Sequence, residues 1–279
     1  MRILVLGASG FVGRHLGAAL RGRGDAVVEA SLRDPVAAAS VAAECDAVVN
    51  LAGEPIAQRW NAGVKRRIEE SRVERPRRFL DALAQRTRRC TVYVSASAVG
   101  YYGTSESATF VEESPPGPDF LARVCAGWER EAYRAGELGM RVAIVRTGVA
   151  LGRDGGALQK MLPPFRAGLG GVLGSGRQWL SWVHVADLGR IYLLALDRAE
   201  GPLNGVAPQP ATNATFTREL ATALNRPALL PVPAFALHAL FGEGATVLLD
   251  GQRVLPRRTQ ELGYRFEFAE LKDALANLL

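Results

Sequence analysis

Three glycines near the start of the chain constrain its fold more than any other feature. The segment GASGFVG places Gly7, Gly10 and Gly13 directly after the apolar run at residues 2–6 and at the start of a helical pattern. The first glycine permits a tight turn, the second lets the backbone approach a pyrophosphate, and the third lets the helix pack on the sheet. Free N–H groups at the start of that helix bind phosphate oxygens in such motifs. The segment therefore predicts a strand, a phosphate-binding turn and a helix.

Short apolar runs alternate with helical patterns over the first 200 residues. Strands are predicted at residues 2–6, 26–32, 46–51, 91–95 and 141–146, and helices at 11–23, 61–86, 119–138 and 185–198. Pro76 should kink or restart the second of these helices, because it removes a backbone donor and clashes with the preceding turn. The alternation predicts an α/β fold with a doubly wound parallel sheet that is covered by helices on both faces.

The pattern changes after Gly201, where prolines become frequent and only short helices are predicted, at residues 213–225, 234–241 and 268–279. We interpret this region as a small C-terminal cap. Residues 1–154 and 181–207 should form the dinucleotide-binding domain, and residues 155–180 and 208–279 should form the domain that covers the substrate.

The composition argues against several classes of protein. No apolar run reaches the roughly 18 residues that a membrane span needs, and the N-terminal run turns glycine-rich too early for a signal peptide. We therefore expect a cytoplasmic protein without a membrane partner. The three cysteines, Cys45, Cys90 and Cys125, are far apart and lack metal-ligand spacing, so we expect neither a metal site nor a disulfide framework.

The net charge of +6 is concentrated in one segment. Residues 65–89 carry ten basic and four acidic side chains, an excess equal to that of the whole chain. Such a run is either a solvated helix face or a surface for an anionic partner. The segment has a single aromatic residue, Phe79, whereas nucleic acid sites interleave aromatic rings with basic residues. We favour the solvated face and expect no nucleic acid partner; the sequence allows a homodimer.

The glycine spacing, together with Phe11 inside it, resembles the extended branch of the short-chain dehydrogenase/reductase superfamily. NLAG at 50–53, VSASAVGYYG at 94–103 and WVHVADLGR at 182–190 fit later landmarks of that branch. Further phrases, among them EESRVE, GWEREA, RTGVALGRDGGAL, GSGRQWLSWVH and GQRVLPRRTQELGYRF, resemble one atypical subgroup. Its members are often labelled epimerase family protein or nucleoside-diphosphate-sugar epimerase, and some are labelled cell-division inhibitor. The resemblance runs from end to end and implies a Rossmann fold of the extended type with a small C-terminal cap.

The end of the second predicted strand bears on the choice between NAD and NADP. An acid at this turn usually binds the ribose hydroxyls of NAD, whereas an arginine accommodates the 2′-phosphate of NADP. The sequence EASLRDP offers Arg33, with Ser31 as a hydroxyl contact and Asp34 as the competing acid. We expect NADP. The motifs and the resemblance together imply these cofactor contacts: Gly7, Ser9, Gly10, Phe11, Val12, Gly13, Ser31, Arg33, Asn50, Leu51, Ala52, Gly53, Arg72 and Arg146. Arg72 and Arg146 are also open to a purely structural role in salt bridges.

The superfamily's acid/base pair is missing. Its tyrosine transfers the proton while hydride moves, and a lysine four residues later lowers the pKa of that tyrosine. Alignment on GWEREA places Leu121 and Cys125 at these two positions, and no tyrosine in the chain has a lysine four residues later. The pair is therefore absent rather than displaced.

The resemblance leaves two candidate catalytic residues, Ser97 and Tyr101. Cys125 is either a reactive thiol or a small core residue, and His184 either orients substrate or serves the structure. Two functions follow. One is an NADP-dependent oxidoreductase or epimerase that acts on a small carbonyl or sugar-like substrate. The alternative is a dinucleotide-sensing regulator with little or no catalysis, related to cell division.

Overall fold

The computed structural model describes residues 1–279. The strands are β1 (Arg2–Leu6), β2 (Ala26–Ala30), β3 (Ala47–Asn50), β4 (Val92–Ala98), β5 (Thr109–Phe110), β6 (Arg141–Thr147), β7 (Val149–Gly152), β8 (Trp179–Leu180), β9 (Trp182–His184), β10 (Gly201–Gly205), β11 (Ala211–Thr212) and β12 (Arg253–Val254). The helices are α1 (Phe11–Gly22), α2 (Pro35–Ala43), α3 (Ala62–Glu69), α4 (Arg75–Ala84), α5 (Phe120–Glu137), α6 (Gly156–Arg166), α7 (Val185–Asp197), α8 (Asn213–Ala223), α9 (Ala234–Phe241), α10 (Thr246–Leu249), α11 (Arg257–Glu261) and α12 (Leu271–Leu278).

Six parallel strands form the central sheet, in the order β2-β1-β3-β4-β6-β10. Alternate residues of β1 belong to two separate core clusters. Ile3 and Val5 pack with residues of α1 and α7, while Leu4 and Leu6 pack with residues of α2, α4 and α5. Because helices cover both faces of the sheet, its strands appear in the sequence as continuous apolar runs. The predicted doubly wound parallel sheet is confirmed.

The edge strand β10 has a sequence, GPLNG, that does not look like a strand. Glycine and proline are depleted in strands, and Pro202 lacks the N–H that a central strand must donate. At the edge of the sheet, β10 pairs only with β6. The missing N–H donor therefore interrupts no hydrogen bonds with a strand on the outer side. Sequence patterns alone could not have identified this strand.

The long basic helix is divided as predicted. It runs through α3, a π-helical turn at Glu70–Glu74, and α4, which restarts at Arg75 with Pro76 in its first turn. Five basic side chains of residues 65–89 form ion pairs: Lys65 with Glu243, Arg67 with Glu54, Arg75 with Glu70, Arg77 with Glu131, and Arg89 with Asp46. These ion pairs within the protein favour the solvated-face interpretation of the segment.

The C-terminal region is tied to the N-terminal part of the chain at two places. β12 pairs with β5, and the carboxylate of Asp187 in α7 accepts hydrogen bonds from the Tyr264 hydroxyl and from the backbone N–H groups of Glu267 and Phe268. His238, Glu243 and most residues of 246–252 line the cleft that is described below. None of the helices combines the length and apolar character required to cross a membrane.

Candidate functional site

The glycine turn lies at the switch point of the sheet, where β1 has β2 on one side and β3 on the other. Ligands of such sheets bind beyond the carboxyl ends of the strands at this point. Gly7 has a φ of 84°, and a Cβ atom there would lie 3.0 Å from the backbone nitrogen of Ala52. A Cβ atom on Gly13 would lie 2.7 Å from the carbonyl oxygen of Ala8 and still nearer that of Gly7. The turn, the helix and the end of β3 are therefore packed too closely for any side chain at these positions.

The N-terminus of α1 offers donors that nothing in the protein uses. No side chain caps this helix, and the backbone N–H groups of Phe11, Val12 and Gly13 have no acceptor within the chain. Three free donors and the positive end of the helix dipole suit a phosphate group. The Phe11 ring packs against Gly152, Gly155 and Gly156, where any side chain would collide with it.

The segment after β3 is shaped by Asn50. Its Oδ1 accepts the Ala52 N–H at 3.1 Å, and its Nδ2 donates to the Tyr93 hydroxyl at 3.2 Å. These bonds hold the backbone at residues 51–53 beside the glycine turn. Asn50 is fully buried, so its role is to position this backbone.

The end of β2 presents an arginine and not an acid. Arg33 is exposed and forms no ion pair, and its backbone N–H donates to the Ser31 hydroxyl at 3.2 Å. The Asp34 carboxylate accepts the Ala37 N–H at 3.0 Å and caps α2. The Asp34 carboxylate is thus occupied as a helix cap, which makes it less suited to bind the ribose hydroxyls.

Arg72 brings an unpaired positive charge to the cleft from the π-helical turn. Its guanidinium donates to the Ile68 carbonyl and the Ser71 hydroxyl, and lies 5.2 Å from the centre of the Trp128 ring. A Cβ atom on Gly53 would lie 2.9 Å from its Cζ, so the glycine makes room for the guanidinium. Burial lowers the pKa of Arg72, and the nearby Cys125 and Glu54 offset this only in part. Such a charge is suited to an anionic ligand.

A cavity of about 790 Å³ opens beyond the carboxyl ends of the strands. Of the predicted site residues, Val12, Leu51, Arg72 and Ser97 line it. Leu121 and Cys125 of α5 also line it. Burial raises the pKa of the Cys125 thiol to about 12, so the thiol remains protonated and is not an activated nucleophile.

Ser97 is held by a buried ion pair that sequence analysis did not identify. Its hydroxyl donates to Oε1 of Glu129 at 2.6 Å, and Arg146 donates to both oxygens of Glu129 at 2.8 Å. The side chains of Glu129 and Arg146 are 5% and 4% exposed, which makes the pair one of the most deeply buried in the protein. Burial lowers the pKa of Arg146, but the hydrogen bonds and charge of Glu129 more than compensate and raise it overall.

The structure does not bring Tyr101 or Arg146 into the cavity. The 3₁₀ turn at Val99–Tyr102 directs the Tyr101 ring onto the guanidinium of Arg146, with 3.5 Å between Cζ and the ring centre. Arg146 is occupied by Glu129, the Tyr102 hydroxyl and the Glu112 carbonyl. We therefore correct the expectation that Tyr101 faces the substrate and that Arg146 contacts the cofactor.

His184 is also structural. Its Nδ1 accepts the Ala186 N–H at the start of α7, and its ring stacks on Phe268 at 3.9 Å. It does not line the cavity, and burial lowers its pKa. A role in orienting substrate is not supported.

The fold and the cleft together define a dinucleotide-binding protein of the extended short-chain dehydrogenase/reductase type. A model of the NAD dependent epimerase/dehydratase family matches residues 3–206, and a model of a domain of unknown function (DUF1731) matches residues 232–278. The chain therefore belongs to the NAD dependent epimerase/dehydratase family.

Individual relatives extend the similarity over the whole chain. The chloroplastic epimerase family protein SDR39U1 homolog of Arabidopsis thaliana is 44% identical over 302 residues, covering 100% of this chain and 87% of that protein. The crystal structure of human epimerase family protein SDR39U1 with NADPH is 39% identical, with a TM-score of 0.94 over 100% of this chain and 99% of that one. A nucleoside-diphosphate sugar epimerase from Corynebacterium glutamicum is 33% identical, with a TM-score of 0.80 over 100% of this chain and 58% of that one.

Proposed function

We propose that the chain binds NADP(H) in this cleft and acts as an oxidoreductase or epimerase on a small molecule that carries a carbonyl or hydroxyl group. One observation carries the proposal: Val12 at the end of the phosphate-binding turn, the unpaired Arg72 and Ser97 all line one cavity. The similarity to a human protein crystallised with NADPH supports the choice of cofactor.

The residues present fit a dinucleotide. The free N–H groups at the start of α1 would hold the pyrophosphate, and the exposed Arg33 would hold the 2′-phosphate with help from Ser31. Arg72 would meet further negative charge beside Gly53. NADPH, when bound, supplies a hydride.

The role of Ser97 follows from where its proton lies. Its O–H points to the Glu129 carboxylate, so the lone pairs of Ser97 Oγ are free to accept a hydrogen bond from a substrate hydroxyl. During oxidation, the substrate proton would pass to Ser97 Oγ while the Ser97 proton passes to Glu129. During reduction of a carbonyl, Glu129 would have to carry a proton at the start, and the same two protons would then move in reverse.

This relay is expected to be weak. Arg146 already donates to both oxygens of Glu129, so a proton that arrives at Glu129 would have to displace one of these hydrogen bonds. The apolar Leu121 stands where the superfamily has its tyrosine. Orientation of the substrate therefore contributes more than acid/base strength, and turnover should be slow or limited to activated substrates. We expect no measurable oxidation of simple secondary alcohols with NADP.

Replacing Ser97 by alanine tests the enzymatic proposal. A panel of carbonyl compounds is screened through the loss of NADPH absorbance, and Ser97→Ala should lower turnover of any hit by roughly ten- to a hundredfold. The affinity for NADPH should not change. Ser95→Ala is the matched control, because Ser95 is also a buried serine of β4 but donates to the backbone carbonyl of Ala96. Equal turnover of Ser97→Ala and wild type would exclude the relay.

A dinucleotide-sensing regulator is the second candidate, favoured by Leu121 and Cys125 at the cavity wall. NADPH binding without turnover of any compound in the panel would support it.

Replacing Arg33 by alanine tests the cofactor assignment. Wild type should bind NADPH more tightly than NADH, and Arg33→Ala should remove most of that difference, on the order of ten- to a hundredfold, because a charge-assisted contact is lost. Isothermal titration calorimetry measures both affinities. Arg66→Ala, which removes an exposed arginine from α3, should leave the preference intact. Equal affinity of the wild type for the two cofactors would refute the assignment.

A further inference from the structure

The part of the cavity near Ser97 and the C-terminal region is apolar and has little free positive charge. Its large apolar side chains include Trp60, Phe120, Leu121, Val124, Trp179 and Leu180. Apart from Arg72, which the proposed function assigns to the cofactor, the only lysine or arginine that lines the cavity is Lys65. Its ammonium is bonded to Glu243 and lies 5.2 Å from the centre of the Phe120 ring. Lys65 is therefore not free to bind an anion.

Two further carboxylates line the cavity without a lysine or arginine partner. Asp119 accepts the Ala122 N–H at the start of α5, and Asp250 lies near His238. Burial raises the pKa of Asp250, and the neighbouring Asp119 adds to this rise while His238 opposes it. A diphosphate here would meet unpaired negative charge without the arginine or lysine that phosphate sites use.

Arg253 is a further cation close to this part of the cavity. Its guanidinium stacks 5.1 Å from the centre of the Trp179 ring, but it does not line the cavity. Arg253 could still bind a phosphate at the rim, and it is included in the test for that reason.

Asn213 supplies a polar group for an uncharged ligand. The residue is 4% exposed and lines the cavity. Its Oδ1 accepts the Leu173 N–H at 2.9 Å, which fixes the orientation of the amide because a backbone N–H can donate only to the oxygen. Its Nδ2 makes no hydrogen bond within the protein. The Nδ2 atom itself keeps some exposure, so an oxygen acceptor on a ligand in the cavity would bond to it.

From this arrangement we propose that the substrate is an uncharged, largely apolar compound whose oxygen acceptor binds Asn213 Nδ2, and not a nucleoside-diphosphate sugar. The inference rests on the proposed function only in assigning Arg72 to the cofactor.

The test compares two probes, UDP-glucose and 4′-methoxyacetophenone, by ligand-observed NMR titration of the full chain with and without NADPH. We expect saturable binding of the aryl ketone and none of UDP-glucose up to about 5 mM, a range in which even weak sites are detected. Saturable binding of UDP-glucose overturns the proposal, and loss of that binding in Arg253→Ala would identify the rim as its cause. Absence of saturable aryl ketone binding also overturns the proposal.

Variants test the electrostatic reason and the Asn213 hydrogen bond separately. The triple variant Asp119→Asn, Glu243→Gln and Asp250→Asn frees Lys65 and removes three negative charges, so it should gain UDP-glucose binding; no gain would overturn the electrostatic reason. Asn213→Asp keeps the acceptor for Leu173 but removes the donor, and should weaken aryl ketone binding roughly tenfold. Unchanged binding would exclude Asn213.

NADPH affinity, measured in the same samples, separates this proposal from the proposed function. Loss of NADPH binding would refute the proposed function. The selectivity of the cavity would still be measured in the titrations without cofactor.

Discussion

Replacing Glu129 by glutamine is expected to lower the free energy of unfolding by roughly 3 to 5 kcal/mol, because it leaves the buried charge of Arg146 without a counter-ion. Glutamine keeps the size of the side chain and can still accept the Ser97 hydroxyl, so the loss is electrostatic and not a cavity. Urea denaturation followed by circular dichroism measures it.

Glu131→Gln is the matched control. Glu131 lies on the same helix and its side chain is also buried, at 5% exposed. Its partners Arg77 and Arg134 are 47% and 35% exposed and can turn to water, so we expect a loss of about 1 kcal/mol or less. The double variant Glu129→Leu with Arg146→Met removes both charges and should be more stable than Glu129→Gln. Equal stability of Glu129→Gln and Glu131→Gln would show that the buried pair contributes no more than a surface pair.

The glycine turn and the cleft could be predicted from the sequence because their signals are local. Gly7, Gly10 and Gly13 fall directly between an apolar run and a helical pattern, and the backbone requires glycine at Gly7 and Gly13 for reasons of space. The main strands follow from apolar runs, since a parallel sheet buries both faces. Even the restart of the basic helix near Pro76 followed from covalent geometry.

The polar network behind Ser97 could not be predicted in the same way. Glu129 lies four residues after Cys125 and eight after Leu121, so it belongs to the stripe of α5 that faces the sheet. An acidic residue in that stripe was the only sign in the sequence of a buried polar network. Its partner Arg146 follows 17 residues later and lies beside Ser97 because β4 and β6 are neighbours in the sheet. Because Arg146 lies there, the Tyr101 ring packs on its guanidinium and turns away from the cavity, although Tyr101 follows Ser97 by only four residues. Side-chain direction at a strand end depends on the turn that follows, which motif spacing does not specify.

Replacing Gly13 by alanine is expected to reduce NADPH affinity by at least roughly a hundredfold, since the added methyl group would displace the donors that bind phosphate, and charge-assisted hydrogen bonds contribute about 1.5 to 3 kcal/mol each. The new Cβ atom would lie 2.7 Å from the Ala8 carbonyl oxygen, a contact that only movement of the helix or the turn can relieve. That movement should also cost about 1 to 3 kcal/mol of stability. Calorimetric titration and urea denaturation measure the two effects.

Gly22→Ala makes the same substitution at the other end of α1, where nothing lies within 4 Å of the added atom. Alanine is the better helix former, so this variant should gain about 0.5 to 1 kcal/mol and bind NADPH like the wild type. The pair of variants separates helix propensity from close packing, because both change one glycine of the same helix. If Gly13→Ala bound NADPH within about threefold of wild type, the phosphates could not lie against the start of α1, and the assignment of the glycine turn to the cofactor would fail.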